Sequence, residues 1–437
     1  MTNGDYSAAI AHAERARADY LEAGQVRAAA RIQVDAGEAL RRWGRHAEAR
    51  ERFTAALEVL RADPDADTVR ALDQLAVVNI FADPPDADSH SAEALILGQA
   101  IGIDDEQFSD LILTRAIYLS SAGRRRESIA YLREAARLAT ESGDNFHLGR
   151  VLLNLADTLS VTDPAAAAQA AQTAVGHLRR VGARDYLAVA VMNLIEALLQ
   201  TGGWDAAEAE LSQAVDADGL GDLEYLKCYR GWLAALRGDA ATAEDMLGQL
   251  SDQRASEDPQ DQAQISIVEA FTAVARREPQ SALRHARSTL GHASSLGISH
   301  EYMRWAWPLA TRSAHDLGDT SASHELRALL DSFPPGHLTP MQRAERDLAR
   351  ARLAAGDGDQ AADEAFAAAI SRLRSGNRPY HLAHGLVDHA QHLTRGGDDA
   401  AAAVALAEAG DIARRLRCQP LLDRIAELAP ARPRIEA

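Results

Sequence analysis

Two cysteines, one lysine and few aromatic residues set the first limits on this 437-residue chain. Cys228 and Cys418 are far apart in the sequence, so a disulfide between them is not expected and a reducing compartment fits. Lys227 is the only lysine, and it lies in Tyr225-Leu226-Lys227-Cys228-Tyr229. A Walker-type phosphate loop needs its lysine at the end of a Gly-rich turn, so that nucleotide-binding motif is excluded. No segment approaches the roughly 18 uninterrupted apolar residues that span a bilayer. The start, Met1-Thr2-Asn3-Gly4-Asp5-Tyr6, has neither the basic nor the apolar region of a signal peptide, and a cytoplasmic location is expected. Positive charge is also short. The 46 basic residues face 64 acidic ones, a net −18, which disfavours duplex nucleic acid and anionic membranes as general partners.

What the chain has instead is a repeat. A Gly- or Asp-containing turn followed by an Ala/Glu-rich amphipathic segment recurs about every 40 residues, as in Gly44-Arg45-His46-Ala47-Glu48-Ala49, Gly203-Trp204-Asp205-Ala206-Ala207-Glu208 and Gly397-Asp398-Asp399-Ala400-Ala401-Ala402. A period of this size marks a stacked helical array in which each unit buries its apolar face against its neighbours. Within one unit, Leu148, Val151, Leu152, Leu155, Ala156 and Leu159 recur at spacings of three and four and define one buried helix face. Asp163-Pro164 stops that helix and starts a second, whose apolar side is Ala167, Ala168, Ala171, Ala174, Val175 and Leu178.

The same grammar places first helices at about 26–42, 66–82, 104–121, 144–160, 184–201, 222–236, 259–276, 299–317, 340–355 and 379–395. Second helices fall at about 46–61, 89–101, 124–141, 164–181, 204–216, 239–252, 279–296, 319–332, 358–375 and 398–416. The sequence thus predicts an all-α, right-handed superhelical solenoid of about ten antiparallel helix pairs, forming one domain over 1–437. Residues 3–23 form an unpaired N-terminal helix and 419–429 a C-terminal capping helix. An array that opens on a second helix leaves a face to cover, either by preceding chain or by a homo-oligomer partner. The strongest breaks are Phe333 to Pro340 and then the acidic, Pro-containing stretch 83–88.

The helix–turn–helix unit resembles the tetratricopeptide repeat. Leu155-Ala156, Leu159, Asp163 and Ala167-Ala168, and likewise Leu194-Ile195, Leu198, Gly202-Gly203 and Ala206-Ala207, sit where that motif has its packing Leu, small residue, large apolar residue, turn and small second-helix residue. The period exceeds the usual ~34 residues, and a HEAT-like array is the structural alternative. Asp104 to Ala214 and Ile412 to Asp423 resemble the C-terminal repeat region of actinobacterial adenylate cyclase-like and LuxR-type signalling ATPases, whose catalytic and DNA-binding modules have no counterpart here. The resemblance implies a groove lined by first helices. Asn154 and Asn193, one period apart, would hold a peptide backbone or terminal carboxylate, with Arg150, Asp157, Tyr225, Tyr229, Arg343, Arg346 and Asp347 on the same groove.

Two further clusters carry possible chemistry at helical spacing. His381, His384, Asp388, His389 and His392 offer imidazole and carboxylate on one helix; no Cys or second acidic ligand completes a metal set, and no metal is expected. Tyr302, Arg304, Trp305 and Trp307 precede Pro308, whose kink is a way to open an aromatic pocket, against the plainer reading of Trp305 as core. There is no Gly-x-Ser-x-Gly elbow and no Cys-x-x-Cys pair, and His300-Glu301 lacks the second histidine of a zinc protease. The expectation is a non-enzymatic, cofactor-free scaffold or sensor in bacterial signalling or transcriptional regulation. It presents a groove, with Trp305, His384 and Asp388 among its residues, to a protein or peptide of basic character rather than to nucleic acid or membrane. The alternative is a small-effector-binding regulatory domain of a larger ATPase, cyclase or DNA-binding regulator.

Overall fold

The computed structural model describes residues 3–80, 82–356 and 361–428. Every regular element among them is helical. In chain order these are α1 (Asn3–Glu22), α2 (Val26–Arg42), α3 (His46–Leu60), α4 (Ala66–Asn79), α5 (Pro84–Ile101), α6 (Asp105–Ser121), α7 (Arg125–Ser142), α8 (Asn145–Ser160) and α9 (Pro164–Val181). There follow α10 (Arg184–Thr201), α11 (Trp204–Asp216), α12 (Glu224–Arg237), α13 (Ala240–Gly248), α14 (Ser251–Ala255), α15 (Pro259–Ala275), α16 (Pro279–Leu290), α17 (Ala293–Leu296) and α18 (Glu301–Asp316). The last are α19 (Thr320–Asp331), α20 (Pro340–Gly356), α21 (Ala362–Ser375), α22 (Pro379–Gly396), α23 (Asp399–Leu416) and α24 (Gln419–Leu428). The fold is an all-α, tetratricopeptide-like array of helix pairs.

The chain divides into two compact units, one of Met1–Thr158 with Gly176–Val181 and the other of Leu159–Val175 with Gly182–Ala437. In the first, Phe53 of α3 is fully buried over Gly37 of α2, where an added Cβ would come within 2.5 Å of the ring. The missing side chain lets the two helices approach, and burying the ring contributes about 2–3 kcal/mol. In the second, α22 and α24 reach back to α10, α12 and α15, far earlier in the sequence. Gly202, at φ 81°, ends α10 in the left-handed conformation, and Pro379 at the start of α22 lies where its Cβ would be, at 2.7 Å. Turn and long-range contact therefore demand glycine at the same position.

Three departures from the sequence reading have local causes. The stretch 83–88, expected as a break, is the first turn of α5: the Asp83 carboxylate accepts the Asp86 N–H, and Pro84 and Pro85 occupy positions whose N–H groups have no helical partner. The second helix expected at 239–252 ends at Gly248. There the Glu224 carboxylate accepts the N–H groups of Asp252 (3.3 Å) and Gln253 (2.8 Å), which starts the short α14. The segment 279–296 likewise divides into α16 and α17. Helix α20 starts where expected because Thr339 and Gln342 exchange side-chain-to-backbone bonds of 3.0 and 3.1 Å, a reciprocal N-terminal cap. The expected start of the second helix at 358 and residue 429 of the capping helix lie outside the described residues.

Candidate binding surface

The first helices of the N-terminal unit are tied to one another by polar side chains one period apart. Arg70 of α4 pairs with Asp35 and Glu38 of α2, and Arg41 of α2 donates to Gln74 of α4 at 2.9 Å. Asp110 of α6 faces both His147 and Arg150 of α8 at 3.2 Å, while the Thr158 hydroxyl donates to Ser120 at 3.3 Å. These pairs remain wet: the side chains of Asp35 and Asp110 keep 52% and 46% of their surface. The outcome is a row of paired polar groups in which Asp35 and Arg70 stay exposed, Glu38, Asp110 and Arg150 are half-buried, and His147 and Thr158 are buried.

Asp73 of α4 is buried, and burial pushes its carboxyl up to about 7; the neighbouring Asp110 adds to this, against a hydrogen bond from Thr114. A folded-state value above the ordinary 3.8 means that the folded chain holds this proton more tightly than the unfolded one. Stability from this group is therefore fullest below about pH 4 and declines as pH rises toward 7. Asp73→Asn is expected to melt at least about 2–4 °C above the wild type at pH 8, corresponding to ~1 kcal/mol in a unit of this size. The gap should close as pH is lowered to 4. A gap that does not change across thermal melts at the two pH values would contradict the burial argument.

The expected groove residues fall into three groups. On α8, Asn154 is half-buried and its Nδ2 donates to the Arg150 carbonyl of its own helix at 2.8 Å, Arg150 stacks over Phe146 as well as facing Asp110, and Asp157 is exposed. Asn193 on α10 and Tyr225 on α12 are half-buried. On α20, Arg343 donates to the Leu338 carbonyl, Arg346 faces Asp331 at 3.5 Å, and Asp347 pairs with Arg372 and Arg350. These three tie α20 to neighbouring turns and helices.

The third group, Tyr229, Trp305, His384 and Asp388, is brought together inside the C-terminal unit and offers no open groove. Trp305 touches Trp232 and Tyr380 at ring-centroid distances of 5.5 Å and Phe271 at 5.9 Å, and Tyr229 stacks on the same Trp232. Helix α18 runs through Pro308, and residues from Tyr302 to Ala314 are buried, so the proline opens no pocket. Beside the rings lies an ionic core that helix periodicity did not indicate. Arg304 bonds Glu196 at 2.7 Å; Glu345, fully buried, accepts from His381 at 2.6 Å with Arg312 at 3.7 Å; Asp388 bonds Arg352 and Arg424 at 2.6 and 2.7 Å. Burial and the nearby arginines push His384 well below its ordinary value, so it is neutral at pH 7. His389 and His392 face Asp363 instead, so the histidines of α22 are divided between different partners. Among the described residues no three His, Cys, Asp or Glu side chains are grouped to hold a metal ion. Cys228 and Cys418 are both free and buried.

No family model matches the chain, and no curated protein matches its sequence. Solved structures do share the helical architecture. The apo form of the quorum sensor NprR from B. thuringiensis is 11% identical, with a TM-score of 0.45 over 87% of this chain and 97% of that one. A Rap protein complexed with Competence and Sporulation Factor is 12% identical, with a TM-score of 0.48 over 92% and 99%. Yeast Tom70 is 11% identical, with a TM-score of 0.39 over 95% of each chain. The likeness is one of fold. No helix among the described residues is long and apolar enough to cross a membrane.

Proposed function

We propose that the protein is a non-catalytic scaffold that holds a peptide segment of a partner along the first-helix stripe of its N-terminal unit. The observation that carries this reading is the row of paired charges joining α2 to α4 and α6 to α8, in which Asp35, Arg70 and Asp110 face solvent and each is oriented by a neighbour one period away. An extended peptide presents side chains at a regular rise, so a row of repeated, pre-ordered groups suits it without much ordering cost. The chain carries a net charge of −18, which favours a segment containing Lys or Arg. The resemblance of residues 104–214 and 412–423 to the repeat region of signalling ATPases supports a setting in bacterial signalling or transcriptional control.

The reading is tested by panning a random peptide library on the full chain and measuring the selected peptides by calorimetry. Enrichment of Lys and Arg is expected. Affinity for an Asp35→Asn, Asp110→Asn double variant should fall about tenfold, the sum of two exposed charge contacts. Selection of peptides without basic residues, or equal affinity for the variant, would overturn it.

A further inference from the structure

A cavity of about 310 Å³ opens between α3, α4 and α5, away from the polar pairs of the stripe. Its volume lies at the small end for a ligand site. Leu57 and Leu75 supply apolar lining, and both are almost fully buried. Asn79, the last residue of α4, also lines it; the residue is 1% exposed and its Oδ1 has no hydrogen-bond partner. Nδ1 of His90, on α5, is buried and unpartnered in the same cavity. Buried polar atoms are ordinarily hydrogen-bonded, so two orphaned ones at one cavity call for something that supplies their hydrogen bonds.

The charges around the cavity narrow what that is. Most arginines of this unit are committed to carboxylates, as Arg31, Arg52, Arg61, Arg70 and Arg115 show. Arg50, which lines the cavity, forms no ion pair among the described residues, and neither do Glu58 and Asp86 beside it. An unpaired guanidinium and two unpaired carboxylates on one small, partly apolar cavity match a guest carrying both signs of charge.

We propose that this cavity binds a free α-amino acid. Its carboxylate would sit on Arg50 and its ammonium group between Glu58 and Asp86, and a polar hydrogen of the guest would reach Asn79 Oδ1. The size of the cavity excludes a folded partner, and the mixed charge disfavours a simple anion or a simple cation. The site is independent of the peptide stripe and gives the chain a means of sensing a small effector.

The test is differential scanning fluorimetry of the full chain with each proteinogenic amino acid added singly at ~5 mM, followed by calorimetry on any that raise the melting temperature. A site of millimolar to micromolar affinity binds with about 4–8 kcal/mol and produces a saturable shift. At least one polar amino acid is expected to do so. Arg50 is exposed, so Arg50→Gln should fold normally while its affinity drops at least tenfold. Asn79→Leu removes the orphaned amide; the unliganded variant should melt at or above the wild type yet show no shift. Absence of any shift in the wild type, or equal shifts in wild type and both variants, would mean that the cavity holds only water and would overturn the proposal. Peptide affinity of the stripe is unaffected by either outcome.

Discussion

Replacing Trp305 by alanine is expected to destabilise the C-terminal unit by about 3–5 kcal/mol, the range for deleting a large buried aromatic ring. The indole is 1% exposed and stands among Trp232, Phe271, Tyr380 and His381, all with ring centroids within 5.9 Å. These partners come from α12, α15 and α22, so the ring joins helices that are distant in sequence, and its loss leaves a void that none of them can fill without moving another. Phe146, an exposed aromatic of the N-terminal unit, provides the contrast: Phe146→Ala should change stability by no more than about 0.5–1 kcal/mol. Urea unfolding followed by circular dichroism and by tryptophan fluorescence reads both. A Trp305→Ala chain within 1 kcal/mol of wild type would show that the ring is not structural, and would return it to the ligand-binding role that its sequence context suggested.

The pairing of helices was legible because it is a local property. Leu and Ala at spacings of three and four identify the buried face of each helix, and the intervening Gly, Asp and Pro mark the turns, which is why α8 and α9 fall at the positions read from residues 144–181. Nearest-neighbour periodicity is silent about contacts that skip units. The Tyr229–Glu301 bond, the Arg304–Glu196 pair and the Trp204–Tyr380 contact join residues 72, 108 and 176 positions apart, and together they fill the interior of the C-terminal unit. The same limit explains why Asp388 read as a groove residue: a charged residue on a helix is ordinarily outside, and only the arrival of a complementary charge from another helix makes its burial tolerable. One signal was present. Tyr302, Arg304, Trp305, Trp307 and Arg312 place large and charged groups all around α18, leaving it no solvent face of ordinary composition, and such a helix belongs in a centre. The cavity beside Asn79 left no trace in the sequence, since a helix-ending asparagine is commonplace at a surface and only packing orphans it.

The second large effect concerns Asp388. Its carboxylate is the only group that both Arg352 and Arg424 bond within 3 Å among the described residues, and with Asp388→Ala the next carboxylates are Glu345 at 4.0 Å from Arg352 and Asp316 at 3.6 Å from Arg424. Truncating one side of a buried, hydrogen-bonded ion pair costs about 3–5 kcal/mol, mostly because the partner charge stays buried. The pH dependence separates this from a packing loss. Burial alone would raise the Asp388 carboxyl, but Arg352, Arg424 and Arg312 more than reverse that and hold it at about 2, below its ordinary 3.8. A folded-state value below the unfolded one gives stability that is fully present above about pH 4 and lost as pH falls toward 2. Wild type and variant should therefore differ most from pH 5 to 7 and converge below pH 4. The buried His384 acts in a different window: held neutral in the fold, it takes up its proton on unfolding, so both chains lose stability together as pH drops below 6.5. A wild-type-minus-variant difference in unfolding free energy that is flat from pH 7 to pH 3 would show that Asp388 acts through its volume; convergence at the acid end would show that it acts through its charge.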